Sequence, residues 1–175
     1  MLALTSNSFK PGDRRLIRKF SNYVLRKFVR NGILKAAKIN IKVLTADEIS
    51  NREDADDLST YKAWCTYDGN DGVYKKFTVV LNASRIKQKG KTSKTRLSSL
   101  MVDLAHELVH VKQYLNGEMR DYVDGSYKFL GQKYKPIPDG DETEEYYDSP
   151  SEIEAYGREQ GLYRMFWIKE GKSEK

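Results

Sequence analysis

Apolar residues recur along this chain with two different periods, and the switches between them mark out its elements. In "GDRRLIRKFSNYVLRKFVRNGILKAAK", Ile17, Phe20, Val24, Phe28 and Val29 return at helical spacing with Arg and Lys between them. That is the pattern of an amphipathic helix whose apolar stripe packs on a sheet. In "INIKVL", Ile39, Ile41 and Val43 alternate with polar residues, as in a strand buried on one face. The acidic stretch "TADEISNREDADDLS" reads as a loop with room for one helical turn. Then "TYKAWCTY" and "GVYKKFTVVLN" flank "DGND", which predicts two strands joined by a tight Gly/Asp turn. The sheet therefore has at least three strands and is expected to be mainly antiparallel.

From about Ser93 to Asn116 the helical period returns. Leu97, Leu100, Met101, Leu104, Leu108, Val111 and Leu115 form one stripe, and Asn116-Gly117 supplies the stop. Residues 117 to 148 are rich in Gly, Pro and acids and read as a long irregular connection, which in a small domain serves as a cleft wall or lid. The last element is "SPSEIEAYGREQGLYRMFWIKE", with Ser149 as N-cap, Pro150 in the first helical position and Glu152 as capping-box partner. The tail, 171 to 175, is expected to fray. At 175 residues the succession suits one α+β domain, 1–175, with a single core.

Composition narrows the setting. Hydrophobic residues make up 39% and charged residues 32%, and no apolar run approaches the eighteen or so that a membrane helix needs. The opening "MLALTSNSFKPGDRR" lacks the basic-then-apolar layout of a secretory signal. Cys65 is the only cysteine, so an internal disulfide and a thiolate zinc cage are both excluded, and a reducing, cytoplasmic setting is expected. A small residue packed in a strand is its simplest role. Charge is distributed unevenly. Residues 1 to 45 carry eleven Lys or Arg against Asp13 alone, whereas 139 to 154 carry eight acids and no base. The N-terminal helix and a second basic run at 85 to 96 are where nucleic acid would make contact, although such faces are commonly just solvated.

The two histidines, His106 and His110, stand four apart around Glu107 in "DLAHELVHVKQYLNGEM". Four residues on a helix is about one turn, so both imidazoles project from one face and can serve one ion. Glu107 is rotated by about 100° from His106, near enough to reach a water on that ion without being a ligand. Chance would place two histidines and a glutamate this way in roughly one such chain in a thousand. A catalytic zinc site needs a third protein donor, and with no third histidine the last helix offers Glu152, Glu154 and Glu159. Glu152 has a local use in the capping box, so Glu154, beside small Ala155, is favoured; its alternative is an ion pair with Arg158 four residues on. Asp103, one turn before His106, is placed either to orient an imidazole or as an exposed helix acid. Two histidines and a carboxylate on this motif favour zinc over iron or manganese.

"HELVH" on a helix, followed 44 residues after His110 by a Glu-Ala pair near the start of a second helix, resembles the gluzincin zinc metallopeptidases. More narrowly, it is similar to their compact cytosolic or phage-borne forms, the minigluzincins, which include ImmA/IrrE-like proteins. SprT-like proteins are more distant by motif and expect a further histidine that this chain lacks. The resemblance covers about 65 residues from the motif helix onward and elsewhere only the order of elements. It implies a zincin-like fold, Zn2+ held by His106, His110 and Glu154, and Glu107 as the base for peptide hydrolysis by metal-activated water. It also implies a sheet edge that pairs with extended substrate, in a microbe or a virus-infected cell. The strand "VYKKFTVVLN" is one candidate for that pairing, and Tyr146, Tyr147 and Tyr156 are candidates to support the oxyanion. Where larger gluzincins carry an Asp four residues past the third ligand, this chain has Arg158. That departure motivates the alternative of a catalytically weak zinc-binding regulatory or interaction domain.

Overall fold

The computed structural model describes residues 2–4, 11–51, 62–83, 93–136 and 143–171. Two sheets and, among the described residues, six helices make an α+β molecule. The first sheet is built from β1 (Leu2–Leu4), β2 (Ala37–Leu44), β3 (Ala63–Asn70) and β4 (Lys75–Asn82), in the order β1-β2-β4-β3. Alternation in β2 buries Ala37, Ile39, Ile41 and Val43 and leaves Lys38 and Lys42 exposed, as its period of two requires.

The pairing differs from the expected mainly antiparallel sheet. β1 and β4 both run parallel to β2, and only β3 is antiparallel to its neighbour β4. Alternation within a strand fixes which face is buried and says nothing about which strand lies alongside. Here the hairpin swings past β2 and returns its second strand against it. β4 is consequently paired along both edges, so "VYKKFTVVLN" has no room for an added strand, and among the described strands the edges are β1 and β3.

The turn of the hairpin also sits later than "DGND" suggests. Gly69, at φ 94°, serves a bulge opposite β4 that takes up Asp68. The chain turns at Asp71 to Tyr74, where the Asp71 carboxylate accepts from the backbone N–H groups of Val73 at 3.1 Å and Tyr74 at 2.7 Å.

Helices α1 (Pro11–Phe28) and α4 (Ser93–Leu115) pack on the sheet, and α6 (Pro150–Lys169) packs on α4 and against α1, closing the core from the other side. Between α1 and α4 lie the short α2 (Asn31–Lys35) and α3 (Ala46–Ser50), the latter opened by a Thr45/Glu48 capping box. In α1 the expected stripe is buried at Ile17, Phe20, Val24 and the following Val29, with Phe28 half-buried, while Arg15, Arg18, Lys19, Arg26 and Lys27 stay exposed. Phe20 meets Phe166 of α6 edge to face at 5.1 Å. Helix α4 is central, and the single Leu stripe understates it. Besides the stripe, Ala105, His106, Glu107, Val109, Lys112 and Gln113 are buried as well, as in a helix enclosed over most of its surface. It ends as expected, with Gly117 at φ 73° and paired bonds from Gly117 N–H to Tyr114 O and from Glu118 N–H to Gln113 O, the Schellman arrangement.

The segment read as an irregular connection is mostly that among its described residues, but it also contains three short strands. β5 (Met119–Asp121), β6 (Tyr127–Phe129) and β7 (Gln132–Tyr134) form a three-stranded antiparallel sheet, followed by the short helix α5 (Glu144–Tyr147). Strands of three residues are too short to show a period. Residues 85 to 92 of the second basic run and 172 to 175 of the tail lie outside the described residues. No described helix is long and apolar enough to cross a membrane.

Leu104, fully buried where α4 meets the core, has no route to relax. Leu104→Ala should lower stability by about 2–5 kcal/mol, read as a lower urea midpoint at unchanged slope.

Candidate metal centre

Helix α4 turns the Nε2 atoms of His106 and His110 toward each other, 3.2 Å apart. Between them enters a carboxylate of α6. Glu152 places Oε2 at 3.1 Å from His106 Nε2 and Oε1 at 3.2 Å from His110 Nε2. This is the group of metal-type donors brought together among the described residues, with one atom from each side chain within 4.8 Å of the others.

The favoured third residue, Glu154, is not in it. Its carboxylate accepts from Lys112 Nζ at 2.7 and 3.0 Å, from Gln113 Nε2 at 3.1 Å and from Arg158 Nε at 2.8 Å. The i,i+4 ion pair with Arg158 is thus present, within a larger network that ties α6 to the end of α4. Glu152 is free for the histidines because the capping box does not form. Ser149 occupies the N-cap and Pro150 the first turn, yet no side chain caps the helix. The Ser149 hydroxyl is instead 2.8 Å from both Tyr127 OH and Ser151 Oγ. A tertiary contact has displaced the local motif.

The donor spacing fits an ion. Four tetrahedral donors with bonds of about 2.0–2.1 Å stand roughly 3.3–3.4 Å from one another, within a few tenths of the separations between these three side chains. Two histidine nitrogens and one carboxylate also match the three-ligand set that leaves a catalytic zinc one open position.

Hydrogen bonding at the far side of His106 fixes its orientation. Nδ1 donates to Glu159 Oε2 at 3.1 Å, and since a carboxylate can only accept, the proton sits on Nδ1 and Nε2 is turned inward. Glu159 is thus placed behind His106 and not among the three donors, two turns beyond Glu152 on the same face of α6. Asp103 does not take this role, nor is it an exposed acid. It is half-buried, and burial, with Glu159 close by, pushes its carboxyl up to about 6. On His110, Gln113 Oε1 stands 2.9 Å from Nδ1.

The charges are strongly coupled. Burial alone would lower the His106 pKa, but hydrogen bonds to Glu152 and Glu159 outweigh it and push the ring up to about 10. His110 moves up against burial for the same reason, through Glu152. Glu152 is correspondingly held well below the usual carboxylate range by the two rings, despite its burial. Glu107 is buried and pushed up, chiefly by desolvation, against the pull of the two histidines. Cys65, packed against the core from β3, lies within electrostatic reach of Glu107, and burial drives its thiol well above the normal range. The simple packing role suits it.

Aromatic side chains close the other flank. Tyr156 sets its ring edge to face on His106 at 4.5 Å, Tyr147 lies 5.8 Å from Tyr156, and both are exposed. The Tyr146 hydroxyl turns to Glu152 and Tyr156, and burial with the Glu152 charge raises its pKa far above that of a free phenol. No family model matches the chain, and no match was found among curated proteins or solved structures.

The linkage has a definite sign in metal-free protein. The His106 pKa is raised from 6.5 to about 10 on folding, so its contribution to stability is complete below pH 6.5 and is lost as pH climbs toward 10. Glu152 is depressed below its ordinary 4.5, so its contribution is present above that pH and lost on acidification. Urea midpoints of the metal-free chain should therefore fall from pH 6 to pH 10. The fall should shrink in Glu152→Gln.

Proposed function

We propose that the chain is a zincin-like metallopeptidase in which His106 and His110, through Nε2, and Glu152 hold a zinc ion. The observation that carries the reading is the convergence of these three donors in a buried site, with a buried carboxylate, Glu107, one residue past His106 on the same helix. Bound there, zinc would supply a Lewis acid and a water whose pKa is brought to about 7.

The chain's own residues supply the rest. Glu107 takes the proton of the attacking water and returns it to the departing amine. Its raised pKa suits both halves of that exchange better than an ordinary carboxylate would. Tyr146, kept protonated by burial and by Glu152, would turn its hydroxyl from Glu152 to the carbonyl oxygen as negative charge gathers there. The edge of β3, which packs against α4 at Cys65, offers main-chain groups to an extended peptide, giving affinity with little demand on side-chain sequence. Cys65 as the single cysteine suits action in a reducing compartment such as the cytoplasm. The departure from larger gluzincins at Arg158 loses its force once Glu152 is the third ligand, because Glu159 supports His106 instead.

A second reading concerns partners. The exposed Arg and Lys residues of α1 form a basic face that would bring the enzyme to nucleic acid and the proteins on it. Retention of labelled duplex DNA at low salt, falling steeply with added salt, is the expected result; no retention at low salt removes this reading.

Elemental analysis and a peptide-library assay test the main one. Wild type and Glu154→Ala should each carry about one zinc per chain, and Glu152→Ala should carry none. Glu154→Ala should instead lose about 1–3 kcal/mol of stability with its charged hydrogen bonds. Glu107→Gln should retain zinc and lose about 100-fold or more in hydrolysis. Undiminished cleavage by Glu107→Gln, or a wild type that takes up no zinc, would overturn the proposal.

A further inference from the structure

Gln113 is entirely buried beside the histidine pair, although nothing in peptide hydrolysis calls for an amide there. It lies three residues past His110 on α4, so the two side chains are neighbours on one helix face. Its amide is held at both ends. Nε2 donates to the Ser151 carbonyl oxygen at 2.9 Å and to Glu154 Oε2 at 3.1 Å. Both partners can only accept, so the nitrogen end of the amide must face α6 and the oxygen end must face His110. Oε1, at 2.9 Å from His110 Nδ1, can accept from that atom and cannot donate to it.

We propose that Gln113 is the positioning residue of His110, and that its amide, clamped by Ser151 and Glu154, holds a proton on Nδ1 and so keeps Nε2 as the nitrogen turned to Glu152. The two histidines are then held in the same sense by different chemistry. His106 is supported by the carboxylate of Glu159, His110 by a neutral amide. A carboxylate in the second place would add charge to a site that already buries Glu107 and Glu152 beside Glu159. An amide directs the proton at no such cost.

Glu154 gains a function in this arrangement. Lys112 and Arg158 fix its carboxylate, and the carboxylate fixes the Gln113 amide. Ser151, the other clamp, immediately precedes Glu152. A shift of α6 that displaced the third donor would therefore also pull on the group that sets the His110 tautomer, so the two are kept in step.

The inference rests on the metal reading only for its second test. The first uses metal-free protein, whose two histidines make an imidazole 15N–1H spectrum simple to assign. The His110 Nδ1 proton should be protected from solvent exchange in the wild type. Gln113→Leu should abolish that protection and leave the His106 Nδ1 proton unchanged. In the second test, chelator competition for zinc should show an affinity about 10–100-fold weaker in Gln113→Leu. Should Gln113→Leu fail to fold, Glu154→Gln, altered at the half-buried clamp, is expected to weaken the same protection. A freely exchanging His110 Nδ1 proton in the wild type, or one still protected in Gln113→Leu, overturns the proposal. Protection that depends on Gln113 in a protein that takes up no zinc would uphold the positioning role and remove the peptidase reading.

Discussion

Helix α4 is buried over most of its surface from Leu100 to Leu115 and still carries His106, Glu107, His110, Lys112 and Gln113, and its crossing with α6 is what makes that tolerable. Each such group, left without a partner, would cost about 1–3 kcal/mol, and more where it is charged. All but Glu107 find partners on α6. His106 takes Glu152 and Glu159, His110 takes Glu152, Lys112 takes Glu154, and Gln113 takes Glu154 and the Ser151 carbonyl. A sliding of α6 by one residue would break all of these together. The register of two helices is thus fixed by polar contacts, and apolar packing such as Phe20 on Phe166 supplies the bulk of the burial without discriminating so sharply between registers.

The small second sheet follows from the same requirement. Glu152 must be available within the first turn of α6, where a glutamate after Ser149 would ordinarily fold back to cap the helix. Tyr127 of β6 prevents this by engaging the Ser149 hydroxyl, which also meets Ser151. The Schellman turn at Gly117 sends the chain from α4 directly into that sheet, and the Leu130 N–H bonds back to the Glu118 carbonyl, while the Glu118 carboxylate pairs with Lys112 at 2.5 Å. The segment that looks like a lid in composition is a brace between the end of one helix and the start of the next.

What the sequence made legible divides along the same line. The helix of His106 and His110, its Gly117 stop, the α1 stripe and the alternation of β2 all depend on spacing within one element, and all were readable. Glu152 was misjudged because the local rule for Ser-x-x-Glu is sound in isolation and only a residue 22 positions upstream, Tyr127, overrides it. Gln113 carried one usable signal, a polar side chain a turn beyond a candidate ligand on a helix too apolar to be exposed. The parallel pairing of β4 with β2 had none, since strand neighbours are chosen by the path of the chain outside the strands. β5 to β7 were lost because three residues do not make a period.

The polarity of the centre is also of the kind that a cation could relieve. Glu107, Glu152, Glu159 and half-buried Asp103 surround two imidazoles in a region that water reaches poorly. With neutral rings and ionised acids the group would be strongly negative, and two responses relieve it. Protons are retained, which is why His106 is pushed up to about 10 and Asp103 up to about 6; or a metal ion takes their place. The two compete for the same nitrogen lone pairs, so loading must release protons and must weaken as pH falls. Because the protons are held by Glu152 and Glu159, the groups that would favour an ion are the ones that hold the chain together without it.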